Sequence, residues 1–196
     1  MAFLTGRTAW ITALVVAIGL LGLTQARRGE AYEANYPKTP VGTVEVKRLP
    51  AAKALQAEAE GDSFDDGGRP FGTLFREIKA QRLAMTVPVE VDAPRNRMRF
   101  FVPRDEAARV AEGLHGATVL ALPERTVLSV GMHGRYTPER FEAGKRRIDA
   151  WLAGQSEWKA EGSPYAVYWN GPNATPFLNR SEVHQPIVPI AGDATP

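Results

Sequence analysis

Residues 42–61, GTVEVKRLPAAKALQAEAEG, decide the fold because a similar stretch recurs at residues 117–134, ATVLALPERTVLSVGMHG. Each alternates apolar and polar residues on both sides of a Leu-Pro step. That period of two predicts a pair of short strands interrupted by a proline that has no N–H to give a ladder. Val46 aligns with Val119, Leu49-Pro50 with Leu122-Pro123, Leu55 with Leu128 and Gly61 with Gly134, all at an offset of 73 residues.

The correspondence extends into the helices C-terminal to each stretch. In PFGTLFREIKAQR (70–82), Phe71, Leu74, Phe75 and Ile78 fall at i, i+3, i+4 and i+7, one face of a helix. Phe71, Arg76 and Ile78 align with Phe141, Arg146 and Ile148 at an offset of 70. The second helix has its own start signals: Thr137 as N-cap, Pro138 at the first helical position and Glu139 favoured by the helix dipole. Its apolar face is Phe141, Ile148, Trp151 and Leu152, up to Gly154.

AMTVPVEV (84–91) and RMRFFVP (97–103) read as strands, with the turn at Pro94-Arg95-Asn96 and Val87, Val89 and Val91 on one face. A short helix is expected over Asp105–Glu112, stopped by Gly113, and further strands near 158–161 and 165–169. The chain is therefore α+β, two pseudo-symmetric ββαββ-like halves. Neither half can cover both faces of its own sheet, so the two pack around a common core.

Charge divides the chain unevenly. The whole sequence holds 24 Lys plus Arg against 22 Asp plus Glu, but Arg7, Arg27 and Arg28 lie within the first 29 residues, which hold no acid. From Glu30 onward the chain is near neutral. TAWITALVVAIGLLGLTQA, between Arg7 and Arg27, reads as a signal peptide cleaved after Ala26 or as an uncleaved membrane anchor. Arg27-Arg28 resists translocation and keeps both readings open. Residues 30–40, with Pro37 and Pro40, read as a linker, 41–190 as the folded domain and 191–196 as a flexible tail. The protein is expected to be exported or tethered, with the membrane involved only through the N-terminal segment.

With no cysteine, disulfides, thiolate metal sites and a cysteine nucleophile are excluded. No HExxH, GxSxG or phosphate-binding glycine loop occurs. Arg95, Arg97 and Arg99, and the group Arg135, Arg140, Lys145, Arg146 and Arg147, read as solvated faces, and no nucleic acid is expected as a partner. His133, in GMHGRY at a strand end, and His184 are the histidines of interest beside the loop residue His115. Phe71, Leu74, Phe75, Ile78 and Met85 read as ordinary core or as a wall for a flat apolar ligand, with Arg76, Lys79 and Arg82 near its rim to pair with carboxylates.

The order VEVKRLP, FGTLFREI, MTVPVEV and PYAVYWNGPNATPFLNRSEV resembles the SOUL haem-binding-protein family over roughly residues 32–189. Met85-Thr86-Val87-Pro88-Val89 and Pro176–Val183 carry most of the likeness. The resemblance implies a distorted β-barrel or curved sheet with two main helices that binds haem or another tetrapyrrole non-covalently in an apolar groove beside the first helix, as carrier, buffer or sensor. With no heptad pattern in the sequence, a monomer is expected. It places the binding residues at Phe71, Leu74, Phe75, Ile78, Lys79, Met85 and Phe177, with 171–178 as a lid. Some relatives have a histidine proposed to ligate iron in the first strand pair; here that stretch is VKRLPAAKA. His133, His184 and Met85 are the remaining candidate ligands. The architecture is also similar to GyrI-like small-molecule-binding domains. That alternative casts Glu182 as a general base for hydrolysis if burial raises its pKa, whereas the structural reading makes Glu182 and Arg180 a polar pair that fastens the last strand to the core.

Overall fold

The structure is a computed structural model, described for residues 36–60, 68–110, 113, 115–170 and 178–190. The N-terminal segment, Phe177, nearly all of the expected lid and the tail lie outside the described residues. The elements are β1 (Val44–Leu49), β2 (Ala52–Glu58), α1 (Gly68–Gln81), β3 (Val89–Asp92), β4 (Arg97–Phe101), β5 (Thr118–Leu122), β6 (Arg125–His133), α2 (Pro138–Ala153), β7 (Trp158–Ala160), β8 (Tyr165–Tyr168) and β9 (Arg180–Pro189).

The strands form a curled antiparallel sheet in the order β1-β6-β9-β8-β3-β4-β2-β5, with β7 added to β9. This order is symmetric about the β8–β3 pair. Reversing it exchanges β1 with β5, β2 with β6, and β4 with β9, so each half lends its first strand to the far edge of the other. The sequence repeat aligns the same strands, β1 with β5 and β2 with β6. Both helices pack on one face, where Leu74, Ile78, Phe141 and Ile148 join Leu55, Phe100, Leu128 and Val183 in one core.

Local chemistry sets the helix ends. Thr137 accepts a hydrogen bond from Arg140 N, and Pro138 opens α2 as expected. Arg82, at φ 53°, ends α1 in a left-handed turn; Leu83 N donates to Ile78 O (2.9 Å) and Arg82 N to Lys79 O (3.2 Å). That double closure buries Leu83 beside the helix end. α2 lies unusually close to the sheet, because a Cβ on Gly144 would stand 2.5 Å from Val183 Cγ2.

Three expectations need correction. The strand expected from Ala84 begins only at Val89: Pro88 cannot donate to a ladder, and Thr86 instead donates through Oγ1 to Phe101 O (2.7 Å). The helix expected over 105–112 is, in its described part up to Val110, a single 3-10 turn at Ala107–Arg109. Too short to repay helix nucleation, it is held by Lys53 donating to Ala107 O and by Arg109 donating to the carbonyls of Gln81 and Arg82. The segment read as a linker up to Pro40 packs on the helix-free face of the sheet from Tyr36 onward, where Tyr36 and Thr39 are buried. Gly131 admits it: a Cβ there would lie 2.2 Å from Pro40 O.

Candidate functional site

Alternation in β9 sends Val183 toward the helices and Glu182 and His184 toward the other face. One row across that face, fixed by strand register, runs Gly131, Glu182, Val167, Glu90, Arg99 and Gln56. Two buried polar clusters sit along it, around Glu182 and around Glu90.

Glu182 is 1% exposed and fully engaged. Oε1 accepts from Thr39 N (2.6 Å) and Trp169 Nε1 (2.9 Å). Oε2 accepts from Lys47 Nζ (2.9 Å), with Ser129 Oγ at 3.0 Å and His184 Nε2 at 2.7 Å. Lys47 also donates to Pro37 O (2.7 Å). Tyr36 covers the cluster, its hydroxyl 3.0 Å from His184 Nδ1 and its ring edge-on to Trp169 and Phe101.

Burial on its own would raise the pKa of Glu182, yet the hydrogen bond from His184 and the ammonium of Lys47 outweigh it and hold the carboxyl well below its ordinary value. Burial lowers the pKa of His184, against the opposing pull of Glu182. Neutral His184 therefore donates through Nε2 to the carboxylate and accepts through Nδ1 from Tyr36. The basic carboxyl that hydrolysis requires is not what this geometry makes: Glu182 is a weakly basic anion with its acceptor sites filled. Nor does Glu182 pair with Arg180, whose guanidinium donates to Thr39 O (3.0 Å). The partner is Lys47.

The residues expected to form a ligand wall separate. Leu74 and Ile78 belong to the core under α1. Phe71 and Phe75 are half-buried and stacked, with ring centroids 5.9 Å apart and 13° between planes. Phe71 also stands edge-on to Phe100 (5.6 Å). Lys79 Nζ lies 4.6 Å from the Phe75 centroid. Met85 is 44% exposed. α1 thus carries a half-buried Phe75 with the Lys79 ammonium over its ring, and Phe71 stacked behind it and packed against the core.

The candidate iron ligands fare differently. His184 is sealed, with both ring nitrogens engaged, whereas the other two candidates, His133 at the end of β6 and Met85, are exposed. Among the described residues no group of three or more His, Asp or Glu is placed to hold a metal, and no helix is long and apolar enough to cross a membrane.

Sequence reading missed Tyr36, Thr39, Lys47 and Ser129 around Glu182. A signal existed in β1, where Lys47 occupies the same face as Leu49.

The pseudo-symmetric α+β half-barrel, with two helices on one face and a polar cluster on the other, defines a class of fold that includes the GyrI-like folds. Within it, the chain belongs to the SOUL family: the model described as SOUL heme-binding protein matches residues 32–186. No curated protein matches the chain significantly. Among solved structures, the EcmrR C-terminal domain is similar at a TM-score of 0.58 and 13% identity, over 76% of this chain and 98% of that one. EcmrR in a complex with DNA reaches 0.62 at 11% identity, over 94% and 70% of the two chains. A hydrolase from Listeria innocua reaches 0.51 at 12%, over 76% and 94%. At these identities the likeness is one of fold.

Proposed function

We propose that the protein is a noncatalytic haem or tetrapyrrole binder, a carrier, buffer or sensor, exported or tethered through its first 29 residues. One observation carries the reading beyond family membership: the stacked Phe71 and Phe75 with Lys79 over the Phe75 ring, on the helix that carries the FGTLFREI motif. A porphyrin plane gains apolar contact from such rings, and an ammonium group at the edge pairs with its carboxylates. The burial of His184 supports a binding mode in which apolar contact, more than coordination, supplies affinity.

Titration of the full-length chain with hemin should give a saturable Soret shift near one equivalent. Iron-free protoporphyrin should bind with similar affinity, and Phe75→Ala should weaken both by about tenfold, the size expected for losing one ring contact. A response no greater than that of an albumin-like nonspecific background would overturn the reading. The alternative of a GyrI-like small-molecule binder draws support from the shared fold. Its hydrolytic version through Glu182 draws none from the geometry, and Glu182→Gln leaving any ester turnover unchanged would dispose of that version.

A further inference from the structure

The second cluster on the helix-free face is made by Arg95, Arg97, Arg99 and Arg125 with Glu90 and Asp92. The sequence suggested solvated arginines; the strands instead gather them around a cleft of about 280 Å³, closed at its side by residues such as Ser163 and Pro186. Alternation on β4 points Arg97 and Arg99 the same way, and β3 brings Glu90 and Asp92 against them by register. Glu90 takes Arg99 (3.3 Å) on one oxygen and Arg125 on the other. Asp92 takes Arg95 (3.0 Å) and Arg97, both on Oδ2.

Four guanidinium groups thus share two carboxylates. Glu58, 3.8 Å from Arg97, adds a negative charge only at the exposed rim, so the cleft keeps a positive excess. The excess is also unspent as hydrogen bonds. Nε of Arg97, and Nε and Nη1 of Arg125, are buried without a well-aligned acceptor in the protein. The Tyr165 hydroxyl, which interacts with Arg125, forms no well-aligned hydrogen bond of its own. Buried guanidinium N–H groups left in this way cost stability unless something accepts from them. Asp92 Oδ1, buried and equally without a partner, offers an acceptor beside these donors.

We propose that this cleft is a second binding site, for a small metabolite whose carboxylate or phosphate accepts from Arg97 and Arg125 and whose hydroxyl donates to Asp92. Arginine suits the task because its planar fork meets an oxyanion through two N–H groups at once. The site lies on the opposite face of the sheet from α1 and is independent of the tetrapyrrole reading.

The test is calorimetric titration of the full-length chain at low ionic strength with citrate and with inorganic phosphate, both of which carry a hydroxyl beside the anion, and with chloride as control. One saturable site is expected for citrate or phosphate, and the better of the two identifies the anion. Arg97→Gln and Arg125→Lys should each weaken it by about tenfold or more, the second because lysine keeps the charge but loses the fork. Hemin binding should be unchanged in both. If Arg125→Lys fails to give a cooperative melt, Arg97→Gln decides alone, since Asp92 retains Arg95. Absence of saturable heat with either anion up to concentrations on the order of 10 mM, an equal response to chloride, or wild-type affinity in the folded variants would overturn the proposal.

Discussion

Replacing Lys47 with methionine isolates what holds the helix-free face together. The side chain keeps its length and apolar stem, but Glu182 loses its only lysine partner at a site where the two side chains are 5% and 1% exposed. At 2.9 Å and an effective dielectric constant of about 20, the attraction is about 6 kcal/mol. Desolvation of both ions offsets part of that, and removing one member of a buried pair typically costs about 3–5 kcal/mol because the other charge stays buried. The remaining groups on Glu182, Thr39 N, Trp169 Nε1, Ser129 and His184, still hydrogen-bond the carboxylate, so the lower end of that range is the expectation. For a chain of this size it corresponds to a fall in Tm of roughly 10 °C at pH 7.

The pH dependence separates this cause from simple loss of packing. In the wild type the folded carboxyl lies well below its ordinary 4.5. It contributes stability that is complete above 4.5 and lost as pH falls through the folded value. Without Lys47, burial pulls the folded pKa upward, so acidification neutralises the stranded carboxylate and the gap between variant and wild type narrows between pH 7 and pH 4.5. Thermal melts of wild type, Lys47→Met, Glu182→Gln and the double variant across that range supply the assay. The double variant should recover much of the loss, giving a coupling energy of about 2 kcal/mol. A Lys47→Met melt within about 2 °C of wild type at pH 7, or a deficit that stays constant with pH, would refute the reasoning.

Gly144→Ala should destabilise by about 1–3 kcal/mol, because its Cβ meets Val183 Cγ2 at 2.5 Å and overpacking outweighs the gain in helix propensity of about 1 kcal/mol; denaturant melts check it, and a more stable variant contradicts it. Gly131→Ala should lift the segment at Tyr36–Pro40 off β6, since its Cβ would lie 2.2 Å from Pro40 O and 2.5 Å from Thr39 O; faster amide exchange at Thr39 and Gly42 and red-shifted Trp fluorescence are expected, and unchanged exchange at both would show that the backbone accommodates the methyl. Wild-type stability should begin to fall below pH 6.5, the ordinary value for histidine, because buried His184 titrates lower when folded and the unfolded chain takes up the proton first; His184→Gln should remove that limb of the pH profile, and an identical profile in the variant would assign the limb elsewhere.

The fold is legible in the sequence because its information is periodic. The Leu-Pro strand pairs, the i, i+3, i+4, i+7 faces of the two helices and the Thr137-Pro138 cap each follow from local rules, and the 73-residue offset links them into halves. What periodicity cannot carry is which half each edge strand joins. β1 pairs with β6 and β5 with β2, an exchange that no local pattern encodes. The site is less legible for the same reason. Phe71, Phe75 and Lys79 stand out because two turns of one helix bring them together, whereas the groups on Glu182 come from Thr39, Lys47, Ser129, Trp169 and His184, spread over 146 residues of sequence. Burial alone even gives the wrong sign for its pKa shift.

The arginines on β4 mark the boundary between these cases. Their alternation at Arg97 and Arg99, continuing from Arg95 in the preceding turn, is visible in the sequence, and an exposed strand is the sensible physical reading of it. Their meaning depends on Glu90 and Asp92 arriving by register from β3 and on Arg125 arriving from the other half. The pseudo-symmetric fold places β3 and β8 at its centre with β9 beside them, so acids on the inner strands are reached by cations from both halves: Glu182 by Lys47 on one side, Glu90 by Arg99 and Arg125 on the other. The difference in outcome is stoichiometric. In the first cluster Lys47 lies between Glu182 and Glu45, and the carboxylate of Glu182 has its acceptor sites filled. In the second, four arginines over two buried acids leave donors, so of the two only the second has donors left to offer a ligand.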